Sequence, residues 1–289
     1  MIVGPGRVGS ALGRALSQRG VDVLGYVGRN PQHTAAALRF CGTGSELQWS
    51  DLQRAHVVLF AVGDGELQAA VGAAAEAARP RSCSLWLHTS GRHDLSVFDV
   101  AVPAGIRRGS LHPLVPFPDP ATGLRGLAGA PAVVDGDLRS RRLLRRLCTW
   151  LGLVPIVGNG GDRALYHAAC ALAANGLTAL FAVAARVLAA ARVGPVEAHR
   201  RMLEALLAAA LRTSQEHGAA AALSGPVRRG DTATVAAHLA ALGAGVPEAI
   251  DCYRALMLAA VDLAEAQGVS PSSAAAMRSV LAPHEHPPT

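Results

Sequence analysis

The stretch Met1-Ile2-Val3-Gly4-Pro5-Gly6-Arg7-Val8-Gly9-Ser10-Ala11-Leu12-Gly13 decides how the rest of the chain is read. An apolar run enters a G-x-G-x-x-G turn at Gly4, Gly6 and Gly9, and a helical pattern over Val8–Arg19 leaves it. In a chain with 31 glycines that spacing alone means little. A strand before it and a helix after it, within a unit of about thirty residues, give it a mechanism. The glycines permit a tight turn and let backbone amides approach a pyrophosphate, whose charge meets the positive end of the helix. Gly4, Pro5, Gly6, Arg7, Val8 and Gly9 are the first candidate cofactor residues. Only Met1–Val3 precedes the turn, so the first strand is shorter than the usual length of about five or six residues.

Downstream, short apolar runs alternate with helical patterns as far as residue 158. Strands are expected at Met1–Val3, Asp22–Val27, Val57–Val62, Ser84–His88, Arg108–His112, Pro131–Val134 and Pro155–Val157. Helices are expected at Val8–Arg19, Thr34–Phe40, Glu66–Ala78 and Ser140–Leu151. Such alternation implies βαβ units and a parallel sheet covered on both faces. Gly158-Asn159-Gly160-Gly161-Asp162 is then a loop and a helix start, and the remainder of the chain is helix and turn without a strand. The expected helices are Arg163–Arg192, Pro195–Gln215, Thr232–Leu242, Pro247–Gln267 and Pro271–Leu281. The fold class is therefore α/β, a Rossmann-type doubly wound parallel sheet over 1–158 followed by an all-α C-terminal domain over 159–289.

Composition excludes several functions. The net charge is +6, and every cation is arginine because the sequence has no lysine, so no step can rest on a lysine ammonium. The densest basic run, Arg139, Arg141, Arg142, Arg145 and Arg146, alternates with Leu143, Leu144 and Leu147 as the solvated face of an amphipathic helix. No nucleic-acid motif accompanies it, and no nucleic-acid binding is expected. Cys41, Cys83, Cys148, Cys170 and Cys252 are scattered and form no C-x-x-C pair, which argues against a metal site or disulfide framework and fits a reducing cytoplasm. The N-terminus lacks a secretory pattern. Ala169–Ala185 is uncharged and nearly long enough to span a bilayer, but its many alanines, Asn175 and Thr178 favour a central buried helix over a membrane span.

The end of the second strand selects the nucleotide. An acid there would hold the ribose hydroxyls of NAD; this chain instead has Gly28-Arg29-Asn30-Pro31. Arg29 can fork to a 2′-phosphate and Asn30 can add a hydrogen bond, so NADP(H) is the expected cofactor. Two further strand ends, at Val62-Gly63 and at His88-Thr89-Ser90-Gly91, should border the nicotinamide half through backbone groups.

Together these pieces resemble the superfamily of pyrroline-carboxylate reductase, prephenate dehydrogenase, ketopantoate reductase and hydroxyisobutyrate dehydrogenase. Three motifs are more specific: Leu111-His112-Pro113-Leu114, Tyr166-His167-Ala168-Ala169, and Leu223-Ser224-Gly225-Pro226-Val227-Arg228-Arg229-Gly230-Asp231. They resemble a bacterial group of Rossmann-like proteins whose C-terminal half is the domain of unknown function 2520, over essentially the whole chain. The resemblance implies an NADP-dependent reductase, with ketopantoate reduction in pantothenate biosynthesis as its best functional association. It also implies a homodimer through the C-terminal helices.

Hydride transfer is the cofactor's chemistry, so the protein must orient the substrate and manage a proton, a task suited to histidine. His112 stands at a strand end before Pro113, and its dipeptide resembles the His-Pro-Met segment of prephenate dehydrogenases, whose histidine engages substrate. His167 lies early in the first long helix, with Ala171 and Asn175 at four-residue steps on one stripe. Hydroxyisobutyrate dehydrogenases and ketopantoate reductases carry lysine and asparagine there; this chain keeps only Asn175. His167 or His112 is expected as proton donor, with Asn175 orienting the carbonyl. Ser224 and Arg229, in a loop before the cap Asp231, are the candidates for a substrate carboxylate. The expected activity is NADPH-dependent reduction of a small α-keto acid. An imine reductase or prephenate-like dehydrogenase is the alternative, and an NADP(H)-binding sensor without turnover is the alternative of another class.

Overall fold

The computed structural model describes residues 1–77, 84–99, 102–103 and 105–283. By internal contacts the chain divides into two units, Met1–Ala174 and Asn175–Thr289.

The first unit is built on one eight-stranded sheet. Its strands are β1 (Ile2–Val3), β2 (Gly25–Val27), β3 (Ser45–Glu46), β4 (Val57–Phe60), β5 (Leu85–His88), β6 (Arg107–Pro113), β7 (Pro131–Gly136) and β8 (Val154–Val157), in the order β3-β2-β1-β4-β5-β6-β7-β8. Strands β1 to β6 are mutually parallel, and the order reverses between β1 and β4. The expectation of a wholly parallel sheet needs one correction, because β7 runs antiparallel to β6 and carries β8 with it. The β6–β7 connection holds only the short helix α4 (Pro120–Gly126) and a loop. It returns the chain along the neighbouring strand instead of crossing the sheet.

Helices α1 (Arg7–Gln18), α2 (Pro31–Cys41), α3 (Asp64–Ala77) and α5 (Leu138–Leu151) connect the strands. The expected end of the third helix at Ala78, and Cys83 beyond it, lie outside the described residues. Strand alternation sorts side chains to the two faces. Leu85, Leu87 and Leu111 join Leu12, Leu16, Leu144 and Leu147 on one face, whereas Val58, Phe60 and Trp86 join Leu67, Val71 and Phe98 on the other. On α5 the arginines stay out of the core, while Leu144, Leu147, Cys148 and Leu151 are buried.

Asp162 caps α6 (Arg163–Ala171), its carboxylate accepting from the amides of Ala164 and Leu165. A π stretch, Leu172–Gly176, comes next, and then α7 (Leu177–Ala191). The second unit holds α7, α8 (Val196–His217), the short α9 (Ala219–Ala222) and α10 (Pro226–Arg229), α11 (Thr232–Gly245), α12 (Ile250–Ala266) and α13 (Pro271–Leu281). Val227, Val235, Val261, Met277 and Leu281 form its main core. The expectation of a central buried helix at Ala169–Ala185 is not met within this chain. The run Arg163–Ala191 is long and apolar enough to cross a membrane, yet none of its most apolar window is buried.

His88 ends β5 inside the core. Its ring packs beside Phe98 with centroids 5.6 Å apart, and its Nε2 lies 3.2 Å from the Asp94 carbonyl oxygen. Burial pulls its pKa from 6.5 down to about 4. The unfolded chain therefore binds the extra proton more readily, and the stability linked to His88 is present above pH 6.5 and lost as pH falls through about 4. The loss is on the order of 3 kcal/mol. Urea unfolding at neutral pH and near pH 4, on the native chain and on His88→Leu, should show a smaller acid-induced loss in the variant. Equal losses would remove His88 as its source.

Candidate functional site at the carboxyl edge of the sheet

Because β1, β4, β5 and β6 run parallel, their C-terminal ends share one sheet edge, and the reversal between β1 and β4 opens a crevice there. The glycine turn lies at that crevice. Gly4 has φ +99°, and a Cβ on it would lie 2.5 Å from the Ala61 carbonyl oxygen. A Cβ on Gly9 would overlap the Gly4 carbonyl oxygen, so the turn and helix meet backbone to backbone. Gly6 differs, with open space where its side chain would be. It precedes α1 without any side-chain cap, leaving the first amides of the helix for an anion. An open glycine face over an uncapped helix N-terminus fits the pyrophosphate of a dinucleotide, with Pro5, Arg7 and Val8 in the same turn.

The two residues expected to select the nucleotide are already engaged. Arg29 is largely exposed and ion-paired to Glu66 of α3. Asn30 is the N-cap of α2, its side-chain oxygen accepting from the amides of Gln32 (2.9 Å) and His33 (3.4 Å). Gly63, after β4, has open space around it, while Val62 packs against the core. The His88 ring is buried, so only its backbone is available at this edge. The buried Ser90 hydroxyl accepts from the amides of Arg92 and His93 and shapes the turn after β5.

The strongest convergence is at β6 and α6. His112, half-buried on β6, has its Nδ1 2.7 Å from the Tyr166 hydroxyl. Its ring lies edge-on to His167, with centroids 5.8 Å apart. Gly91 makes room for both: a Cβ there would lie 2.5 Å from His167 Nδ1 and 2.8 Å from His112 Nε2. His167 Nδ1 is buried without a hydrogen-bond partner among the described residues. Burial, then the nearby His167 and Arg163, lower the His112 pKa to about 4. Burial pushes the Tyr166 phenol up, so it keeps its proton.

Arg163 and Tyr166 have roles that the sequence did not assign. Arg163 donates through Nε to the His93 carbonyl (3.2 Å) and through Nη2 to the Ser90 carbonyl (3.4 Å), with its guanidinium 5.1 Å from the Tyr166 ring centroid. The available signal was spacing, since Arg163, Tyr166 and His167 stand at i, i+3 and i+4 on α6. Asn175 is exposed and belongs to the second unit, and the π stretch interrupts the 3.6-residue period that would align it with His167. In that unit Arg229, with Arg228, Gly230, Val269, Ser270 and Ser273, lines a cavity of about 610 Å³, whereas Ser224 is exposed and not among the lining residues.

Known proteins share the fold. Residues 1–113 match the Rossmann-like domain, and residues 130–260 match the domain of unknown function DUF2520. The chain joins these two domains, as its motifs indicated. No curated protein matches the sequence. Among solved structures, a candidate NADP oxidoreductase from Bacteroides fragilis superposes with TM-score 0.74 at 18% identity, over 90% of this chain and 96% of that one. A pyrroline-5-carboxylate reductase from Coxiella burnetii gives 0.55 at 15% identity, over 93% and 98%. A reductive aminase from Aspergillus terreus, in complex with NADPH and ethyl-5-oxohexanoate, gives 0.57 at 16% identity, over 97% and 90%. At these identities the likeness shows a shared fold.

The glycines separate anion binding from folding. Gly9→Ala should destabilise the chain by about 1–3 kcal/mol through overpacking. Gly6→Ala should leave the thermal midpoint unchanged while weakening dinucleotide binding at least about tenfold, because the new methyl occupies the open face. Calorimetry with titration of NADPH checks both, and full affinity in Gly6→Ala would remove the pyrophosphate from this turn.

Proposed function

We propose that the chain is an NADPH-dependent reductase of a small carbonyl acid, with an α-keto acid of the ketopantoate type as the first substrate to test. The observation that carries this is the pair His112 and His167, brought together at the sheet edge that also holds the glycine turn. The bound reduced nicotinamide would supply hydride to the carbonyl carbon. What remains for the protein is one proton on the oxygen. Burial costs His112 its charge, so it serves as a neutral hydrogen-bond donor, and His167 beside it is proposed to deliver the proton. Arg29, freed from Glu66, would take the 2′-phosphate, and Arg229, with Ser224 nearby in sequence, is proposed for the substrate carboxylate. Asn175 is proposed to orient the carbonyl.

The neutral His112 also favours a second substrate class. An iminium substrate arrives with its own positive charge and needs no proton from the enzyme, so imine reduction suits a site in which His112 stays uncharged.

A homodimer through the C-terminal helices belongs to the same proposal, in a cytoplasmic setting. The second unit carries an apolar cavity of about 700 Å³ lined by Leu180, Val183, Val187, Leu242, Leu256 and Met257, among others, and α7 has no buried residue of its own. A second copy's apolar helix is the proposed cover for that surface. Light scattering without detergent should give twice the chain mass; a monomer, or a chain recovered only with membranes, would overturn the dimer.

The enzymatic test is loss of reduced-nicotinamide absorbance with ketopantoate, other keto acids and cyclic imines, using NADPH and NADH in parallel. Turnover should prefer NADPH, and His112→Ala and His167→Ala should each lower kcat by about 10²–10⁴-fold while dinucleotide binding persists. Tight NADPH binding with no turnover across the panel would make the chain a sensor.

A further inference from the structure

Tyr166 has no task in the reaction just described, yet among the described residues its hydroxyl makes the side-chain hydrogen bond that joins α6 to the functional end of β6. We propose that Tyr166 is the positioning residue of this site: its hydroxyl donates to His112 Nδ1 and so holds the ring proton on Nε2. This rests on the reductase proposal for its purpose, but not for its geometry.

A neutral imidazole has one nitrogen that donates and one that accepts, and the partner of the first nitrogen fixes the role of the second. At 2.7 Å from Nδ1, the Tyr166 oxygen is at full hydrogen-bond distance. The half-buried phenol keeps its proton and, with Nδ1 at 2.7 Å, has an acceptor in place to receive it. The sp² ring nitrogen is a far stronger acceptor than the neighbouring Cys170 sulfur. Nδ1 therefore accepts, and the proton sits on Nε2, the nitrogen that turns toward Gly91 and the His167 ring. The opposite tautomer would leave Nε2 bare and unable to donate to a substrate oxygen.

Other groups around His112 support this assignment. The charged or titratable groups facing it are His167 and Arg163 from α6 and Asp64 at the start of α3. Arg163 presents a positive charge near the ring, which disfavours an imidazolium and keeps His112 in the neutral state in which a tautomer exists to be chosen. The same guanidinium lies over the Tyr166 ring and grips the carbonyls of Ser90 and His93, so the phenol is held against the turn that carries Gly91. Tyr166 thus has a fixed ring, a fixed hydroxyl and a nitrogen to receive its proton. In the reduction, hydride reaches carbon, the proton comes from His167, and His112 Nε2–H holds the oxygen throughout, so Tyr166 neither gains nor loses a proton.

The test is nitrogen NMR on histidine-labelled full-length protein at neutral pH, with the His112 signals assigned by their loss in His112→Gln. His112 should show a pyrrole-type Nε2 and a pyridine-type Nδ1, and Tyr166→Phe should move both signals toward the averaged shifts of a ring exchanging tautomers. In the same variant kcat should fall about 10- to 100-fold, less than the roughly 10²–10⁴-fold that a positioned acid–base group itself contributes, with KM and NADPH affinity within about twofold of the native chain. A protonated Nδ1 in the native chain, or His112 signals unchanged in Tyr166→Phe, would overturn the proposal. If the native chain turns over nothing, the reductase reading fails, and the two nitrogen signals still decide the role of Tyr166.

Discussion

The whole N-terminal unit depends on a contact between bare backbones. Gly4 sits at φ +99° where β1 passes β4 so closely that a single methyl would meet the Ala61 carbonyl, and Gly9 brings α1 onto the Gly4 carbonyl itself. This approach lets a two-residue β1 occupy the centre of an eight-stranded sheet, buried on both faces and paired on both edges. Side chains anywhere in that contact would push α1 outward, taking Leu12 and Leu16 from the core and closing the face over Gly6. The stability of the sheet and the shape of its glycine turn are thus one packing solution.

From that centre the chemistry spreads along one edge. The parallel ends of β4, β5 and β6 bring Gly63, Ser90 and His112 into line with the turn, and α6 is fastened over them by Arg163. The fastening is polar and backbone-directed, so it fixes position without adding apolar bulk to the crevice. The arrangement keeps an uncharged imidazole at His112 next to a second imidazole whose Nδ1 has no partner among the described residues. An unsatisfied buried nitrogen is costly in an inert fold and is the kind of group a ligand can satisfy.

Much of this was legible in the sequence because it arises from local rules. The glycine spacing, the short apolar runs and the caps Asp162 and Asp231 each act over a few residues, and they are found where the sequence places them. Other features depend on distant partners. The reversal of β7 turns on the course of the β6–β7 loop, and the two-residue β3 gains its identity only by pairing with β2. Asn30 reads equally well as a ligand-binding amide or a helix cap, and the helix made use of it. His88 and His112 are both strand-end histidines in sequence and share one face of the sheet; Phe98 packs over the first in the core, whereas the second, farther along its strand, meets Tyr166 and His167 of α6. The exposed course of α7 shows the same limit, since apolarity signals a need for burial without saying what supplies it.

The ion pair between Arg29 and Glu66 has a consequence for selectivity. Under the proposed assignment of Arg29, a phosphate arriving at this guanidinium would not find a vacant cation; it would exchange places with the carboxylate already there. Discrimination between phosphorylated and plain dinucleotides then becomes a contest between two anions for one fork. Because the pair is exposed, the incumbent is held by no more than about 1 kcal/mol, and a dianion can evict it easily. With no phosphate the carboxylate simply stays, so the cationic surface is masked toward other anions until the matching one competes for it.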